Sequence, residues 1–122
     1  MFAGIEDMRP RSPNVDIARH ANVLAAMGTA SRLRIMRLLL AAHPDGLVAG
    51  NIQKQLGFTA SNLSSHLKKL KNQKLVIVRR DGTRLWYSAN VGALEELLRF
   101  LYSKCCMRNR VFSPDRVVQI KA

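Results

Sequence analysis

The sequence predicts a mainly α-helical domain that also contains one β-hairpin. Two observations support this prediction. Apolar residues recur with helical spacing through four successive segments between residues 15 and 73. The spacing then changes to that of strands on both sides of an Asp-Gly pair, and helical spacing returns from Leu94 onward. The predicted order is therefore four helices, a hairpin and a final helix.

The first two helices are predicted from their apolar spacing and their end signals. Ile17 and Leu24, together with Ala21 and Ala25, follow helical spacing from residue 15 up to Gly28, which is a natural helix stop. Thr29 can then cap a second helix that runs to about residue 42. The side chains of this helix expected to face the core are Leu33, Ile35, Met36, Leu39 and Leu40.

The third and fourth helices form a predicted helix-turn-helix. A loop with the sequence His-Pro-Asp-Gly at residues 43–46 precedes a short helix over residues 48–56, which Gly57 ends. Thr59 caps the fourth helix, residues 60–73. Its leucines share one buried stripe, which comprises Leu63, Leu67 and Leu70.

The hairpin and the last helix complete the domain. Residues 75–80 and 84–88 are predicted strands around a turn at Asp81-Gly82, and a helix that is apolar on one face follows from Leu94 to about Met107. This order is typical of a winged helix-turn-helix fold that binds DNA. We expect a loose arm at residues 1–13, the domain at residues 14–107 and a tail at residues 108–122.

The composition favours a nucleic-acid partner. Lys and Arg total 20 against 8 carboxylates, which gives a formal net charge of +12. Such an excess in one small domain indicates a polyanion, although a merely soluble basic protein has the same composition. The apolar runs are far shorter than the roughly 18–20 residues of a membrane span, and no signal-peptide pattern is visible. A cytoplasmic protein without a membrane partner is therefore expected.

The charge is concentrated on the fourth helix and the hairpin. Short polar side chains near the start of the helix permit a close approach to base edges, and the lysines further along face phosphates. Arginines flank the hairpin tip, where they can contact phosphates or the minor groove. A histidine within the helix either contacts DNA or packs against its neighbours. The predicted DNA-binding residues are Ser61, Asn62, Ser64, Ser65, His66, Lys68, Lys69, Arg79, Arg80 and Arg84.

Two stretches, MGTASRLRIMRLLL and LSSHLKKLKNQKLVIVRRDGTRLWYS, resemble the ArsR/SmtB family of metalloregulatory repressors. The resemblance covers roughly residues 15–103. It implies a homodimer joined through the first and last helices, which leaves an inverted-repeat operator when an inducer binds. Three departures stand out. Residues 47–50 lack the cysteine pair of the founding arsenic sensors, the last helix carries Glu95 and Glu96 without the histidines of zinc sensors, and residues 72–74 replace the usual Ala-Gly turn.

The adjacent Cys105 and Cys106 are the predicted inducer site. Soft thiolates select soft acceptors such as trivalent arsenic. Some members of the family that this chain resembles place arsenic ligands at this C-terminal position. Arsenite prefers three thiolates, whereas methylarsenite has two exchangeable positions. Two cysteines therefore favour an organoarsenical, or arsenite completed by another group. Because neighbouring helical residues point about 100° apart, joint chelation requires the helix end to loosen.

Several alternatives stay open at this point. The cysteines are also compatible with a thiol-redox-responsive repressor, in which a disulfide joins two protomers, or with inert interface positions. The charge is also compatible with a nonspecific architectural DNA binder. An enzyme with a catalytic cofactor is not expected, because the sequence lacks a Gly-rich phosphate loop and a Cys-x-x-Cys motif.

Overall fold

A computed structural model describes residues 13–105, and the predicted order of elements is confirmed over this range. The predicted tail and, apart from Pro13, the predicted arm lie outside the described residues. The helices are α1 (Pro13–Met27), α2 (Ala30–Ala41), α3 (Ala49–Leu56), α4 (Ala60–Asn72) and α5 (Val91–Tyr102). The strands are β1 (Leu47–Val48), β2 (Val76–Asp81) and β3 (Arg84–Ala89).

Local capping fixes the helix ends as the sequence predicts. The Thr29 hydroxyl accepts a hydrogen bond from the amide of Arg32 at 3.1 Å, and the Thr59 hydroxyl accepts one from the amide of Asn62 at 3.2 Å. Gly57 ends α3 with a left-handed φ of 78°, and its amide donates to the carbonyl of Gln53 at 2.7 Å. The turn between α3 and α4 is therefore short and defined by its backbone.

The core lies between the helices and the inner face of the sheet, and it corrects the prediction for α2. Leu33 and Leu40 were expected to be buried, but they are 50% and 38% exposed. The buried side of α2 is centred on Arg32, which is 9% exposed and whose Nε donates to the carbonyl of Ala26. Helical spacing turns Leu33 about 100° away from that side. The buried apolar residues of α2 are Ile35, Met36 and Leu39.

The sheet has the order β1-β3-β2, with both pairings antiparallel. Asp81 pairs with Arg84, so the turn residues are Gly82 and Thr83 rather than the predicted Asp81-Gly82. Gly82 has a φ of 65°, which suits a two-residue hairpin turn with glycine first. Strand β1 was not predicted, because two residues are too short to show an alternating pattern.

Helix α4 ends in a Schellman motif. The amide of Leu75 donates to the carbonyl of Leu70 at 3.0 Å, and the amide of Lys74 donates to the carbonyl of Lys71 at 2.9 Å. Lys74 occupies the left-handed position of this motif with a φ of 60°, where glycine is usual. The Asn90 side chain donates to the Lys74 carbonyl at 2.8 Å, which ties the end of α4 to the start of α5.

Candidate nucleic-acid interface

Helix α4 presents a polar face of short and cationic side chains to solvent. Its leucines are buried, with exposures of 1% for Leu63, 3% for Leu67 and 0% for Leu70. Helical geometry places Ser61, Ser65 and Lys68 nearly opposite this stripe. The helix therefore has the division of faces that insertion into a major groove about 12 Å wide requires. The predicted residues of this helix that are exposed are Ser61, Asn62, Ser64, Ser65, Lys68 and Lys69.

The turn before α4 is held by a contact that the sequence did not predict. The Arg34 guanidinium lies 5.5 Å from the centre of the Phe58 ring and donates to the carbonyl of Leu56 at 3.1 Å. Phe58 in turn packs against the core. Arg34 thus positions the start of α4 from the neighbouring helix. No local sequence signal reveals this contact, because its partners are 22 positions apart.

His66 lies apart from the serine face. Its ring is half-buried and tilted against Phe58, with centroids 5.5 Å apart, and its buried Nδ1 makes no hydrogen bond within residues 13–105. Burial, followed by the positive charges of Arg32 and Lys69, holds the pKa of His66 below its usual value. Of the two roles that the sequence left open for His66, this arrangement is packing against its neighbours. Contact of His66 with DNA stays a prediction.

The hairpin, or wing, distributes its arginines over both faces of the sheet. Arg79 shares a face with Trp86, lies 5.5 Å from that ring, and reaches the Asp45 carbonyl at 3.5 Å. Arg84, two pairs further toward the tip, lies on the same face, whereas Arg80 lies on the opposite one. All three are exposed. Arg79 is therefore anchored at the base of the wing, and Arg80 and Arg84 remain available near its tip.

The positive charge of this surface is not neutralised by ion pairs within residues 13–105. Within residues 13–105, no ion pair involves the lysines of α4 or the arginines of the wing. The ion pairs found there lie between α1 and α5, where Arg19 contacts Glu96 at 2.6 Å. Between the start of α4 and Arg84 the sequence has one carboxylate, Asp81. An extended polyanion is the partner that such a surface suits.

Helices α1 and α5 leave apolar side chains on the surface. Ile17 is 56% exposed, Leu24 is 43% exposed and Leu101 is 50% exposed. These residues belong to the apolar faces of the two helices through which the family resemblance implies a dimer contact. The core takes a different side of α1, which carries His20, Val23 and Ala26.

The predicted inducer site is only partly within the described residues. Helix α5 ends at Tyr102 rather than near Met107, and Cys105 lies in the turn that follows, where its amide donates to the Tyr102 carbonyl at 2.9 Å. Its side chain is half-buried, and Cys106 lies outside the described residues. The part of the chain that the structure describes contains no group of three or more metal-ligating side chains, and no helix long and apolar enough to cross a membrane.

Comparison with known proteins supports this fold. A helix-turn-helix domain model matches residues 27–79. The chain is 33% identical to the nodulation protein NolR of Rhizobium meliloti, over 75% of this chain and 74% of that protein. It is 31% identical to the arsenical resistance operon repressor of Staphylococcus aureus, over 66% of this chain and 75% of that protein.

A solved structure extends the comparison to three dimensions. The homodimeric winged helix-turn-helix DNA-binding domain of a Mycobacterium bovis protein superposes with a TM-score of 0.59 at 25% identity. The match covers 87% of this chain and 100% of that domain. The predicted winged helix-turn-helix fold is therefore confirmed.

Proposed function

Because the chain belongs to the ArsR family of winged helix-turn-helix transcriptional regulators, we propose that it is a homodimeric repressor released from its operator by a trivalent arsenical. The chain is a DNA-binding transcriptional regulator and not an enzyme, as expected from the sequence. The finer proposal concerns how it reads DNA, how it pairs and what it senses.

The observation that best supports operator binding is the polar face of α4. Ser61, Asn62, Ser64 and Ser65 are exposed at its N-terminal half, the part of a recognition helix that meets base edges. Lys68 and Lys69 follow in the direction of the phosphates. The wing adds Arg80 and Arg84 beside the same duplex, as phosphate or minor-groove contacts.

The exposed apolar residues of α1 and α5 support a two-fold symmetric dimer. A second copy of the chain would cover Ile17, Leu24 and Leu101, and the 25% identical Mycobacterium bovis domain is homodimeric. Two-fold symmetry brings two copies of α4 to half-sites one helical turn apart, so the operator is an inverted repeat.

The inducer proposal rests on the two adjacent thiols and on the arsenical resistance repressor among the relatives. Helix α5 ends at Tyr102, and Cys105 lies in the turn that follows, outside the regular helix. The 100° divergence that would oppose chelation by adjacent side chains is a property of regular helices. Methylarsenite would exchange its two hydroxyls for the two sulfurs and release two waters. The resulting change at the end of α5 would alter the spacing of the two recognition helices.

Release from DNA tests the inducer proposal. The full chain, with its thiols reduced, is bound to a fluorescent duplex that it selects from a random library, and anisotropy follows the addition of arsenite, methylarsenite, antimonite, zinc or peroxide. We expect arsenicals to release the wild type and a Ser103→Ala control. The Cys105→Ser/Cys106→Ser double variant should bind the duplex as well as the wild type and resist release.

Two results would contradict the inducer proposal. Release of the double variant by arsenicals would exclude the cysteines as the sensor. Release of the wild type by peroxide and not by arsenicals would favour a thiol-redox repressor of the same fold.

A further inference from the structure

Three helices border an open groove of about 670 Å³. Its walls come from α1, the C-terminal end of α4 and the N-terminal half of α5. This volume falls within the roughly 300–1,000 Å³ of small-molecule sites. The residues that line the groove include Arg19, His20, Lys74, Gly92 and Glu96.

His20 presents a buried hydrogen-bond acceptor to this groove. It is 4% exposed and stacks on Phe100, with ring centroids 3.9 Å apart. Its Nδ1 lies 2.8 Å from the carbonyl oxygen of Asp16. Because a carbonyl only accepts, Nδ1 donates its proton to it, and Nε2 is an acceptor whenever the ring is neutral. Nε2 is buried and makes no hydrogen bond with any residue in the range 13–105.

A carboxylate lies beside this acceptor. Glu96 Oε1 is 3.8 Å from His20 Nε2, and it also accepts from Arg19 at 2.6 Å. Two acceptors that face one another are stabilised by a group with several N–H donors and a positive charge. An ammonium group has these properties.

The other end of the groove favours an anion. Helix α5 begins at Val91 with Asn90 as its cap, and the Asn90 Oδ1 accepts from the amide of Ala93 at 3.2 Å. The first amides of a helix have no partner within the helix, and its dipole is positive there. The amides of Ala93 and Leu94 donate to Asn90, so the amides that remain are those before Ala93. Gly92 lines the groove without a side chain to cover them, and Lys74 adds a full positive charge.

We propose that this groove binds a small zwitterion of the amino-acid class. Its carboxylate lies at the start of α5 beside Lys74, and its ammonium group lies between His20 Nε2 and Glu96. Gly92 and Glu96 are one helical turn apart, roughly 6 Å along the axis. An α-amino acid with a hydrogen bond at each end spans that distance, and the remaining volume accommodates a side chain.

Two charged residues of the groove are directed away from the proposed dimer contact. Helical geometry turns Arg19 about 160° away from the exposed Ile17 on α1, and it turns Glu96 about 140° away from the exposed Leu101 on α5. These two charged residues of the groove therefore point away from the apolar dimer faces. Since Asn90 joins α5 to the Lys74 carbonyl at the end of α4, a ligand here would contact the support of the recognition helix.

The test is a titration of the full chain at pH 8 with each of the common amino acids, followed through the ¹H–¹⁵N resonances of Gly92 and Ala93. We expect saturable shifts with a Kd below about 10 mM for at least one amino acid. Its N-trimethyl derivative keeps both charges but has no N–H to donate, so it should bind at least about tenfold more weakly. Acetate and methylammonium should be weaker still.

Paired variants locate the site. Glu96→Gln should lower the affinity for the same amino acid about tenfold, whereas Glu95→Gln, the adjacent carboxylate, should leave it within about twofold of the wild type. The proposal is overturned if no amino acid gives saturable shifts. It is also overturned if the trimethyl derivative or acetate binds equally well, or if the two glutamate variants behave alike. DNA binding is not needed for any of these results, so they stand apart from the proposed function.

Discussion

At the scale of single residues, the arginines of the wing have unequal surroundings. Arg79 is held against Trp86 and reaches the Asp45 carbonyl, whereas Arg80 and Arg84 are exposed without an ion pair in the described part of the chain. An arginine that is already anchored shapes the wing, and a free one is available for phosphates. Substitution should distinguish the two roles.

Arg80→Ala and Arg84→Ala should each weaken binding to all duplexes by a similar factor, because phosphate contacts are independent of sequence. Each should also reduce the salt slope of log Kd by about one unit. Anisotropy at several salt concentrations measures both effects. Arg37→Ala, which removes an exposed arginine of α2, is the control and should change neither quantity. An unchanged salt slope in both wing variants would contradict a contact between the wing and DNA phosphates.

His66 should make the stability of the fold depend on pH. Its pKa is lowered in the folded chain from 6.5, so the unfolded chain binds the proton more readily. The stabilisation from neutral His66 is therefore present above about pH 6.5 and is lost as the pH falls below that value. Urea unfolding at pH 8 and pH 5.5 should show a smaller loss on acidification for His66→Gln than for the wild type. His43→Gln, which alters an exposed histidine, should behave like the wild type.

At the scale of elements, the end of α4 contains a strained position. Lys74 is the non-glycine residue with a positive φ among residues 13–105, and it lies where the family resemblance implied an Ala-Gly turn. The hydrogen bonds of the Schellman motif and the Asn90 side chain hold it there. A side chain in this conformation costs on the order of 1 kcal/mol relative to glycine.

Lys74→Gly should therefore raise the free energy of unfolding by about 0.5–1 kcal/mol, measured by urea titration. Gln73→Gly is the matched control, since Gln73 has a φ of −94° and gains nothing from glycine. If both variants are destabilised equally, the left-handed turn does not limit the stability of this helix end.

Elements with local signals could be predicted from the sequence, and those fixed by distant contacts could not. The helix ends could be predicted from Thr29, Thr59 and Gly57, because capping depends only on the few residues next to the helix end. By contrast, β1 is defined by the pairing of Leu47 with Tyr87, which no local pattern reveals. Apolar spacing alone could not decide which side of α2 is buried, because apolar residues extend over more than half of its circumference.

The candidate site also combines features with local sequence signals and contacts between distant residues. The buried leucines of α4 identify its exposed serines and lysines, so that face could be predicted. The contacts of Arg34 with Phe58, of Arg79 with Asp45 and of His20 with α5 join distant parts of the chain. These contacts could be identified only from the structure.

At the scale of the whole molecule, the proposed function depends on pairing. Leu101 and Leu33 are both 50% exposed, but only Leu101 belongs to the proposed dimer face. Leu101→Glu should weaken dimerisation at least about tenfold, because it places a charge in an apolar contact. Leu33→Glu should leave the dimer intact. Sedimentation equilibrium measures the association, and monomers from both variants or dimers from both would contradict the assigned contact.

The central claim is that α4 and the wing bind duplex DNA in a specific sequence through a two-fold symmetric dimer. Selection of duplexes from a random library by the full chain, followed by measurement of Kd for the selected and scrambled sequences, tests it most directly. We expect an inverted repeat with half-sites about one helical turn apart, bound at least roughly 10³ times more tightly than scrambled DNA. Equal affinity for all sequences, or no binding at low ionic strength, would contradict it.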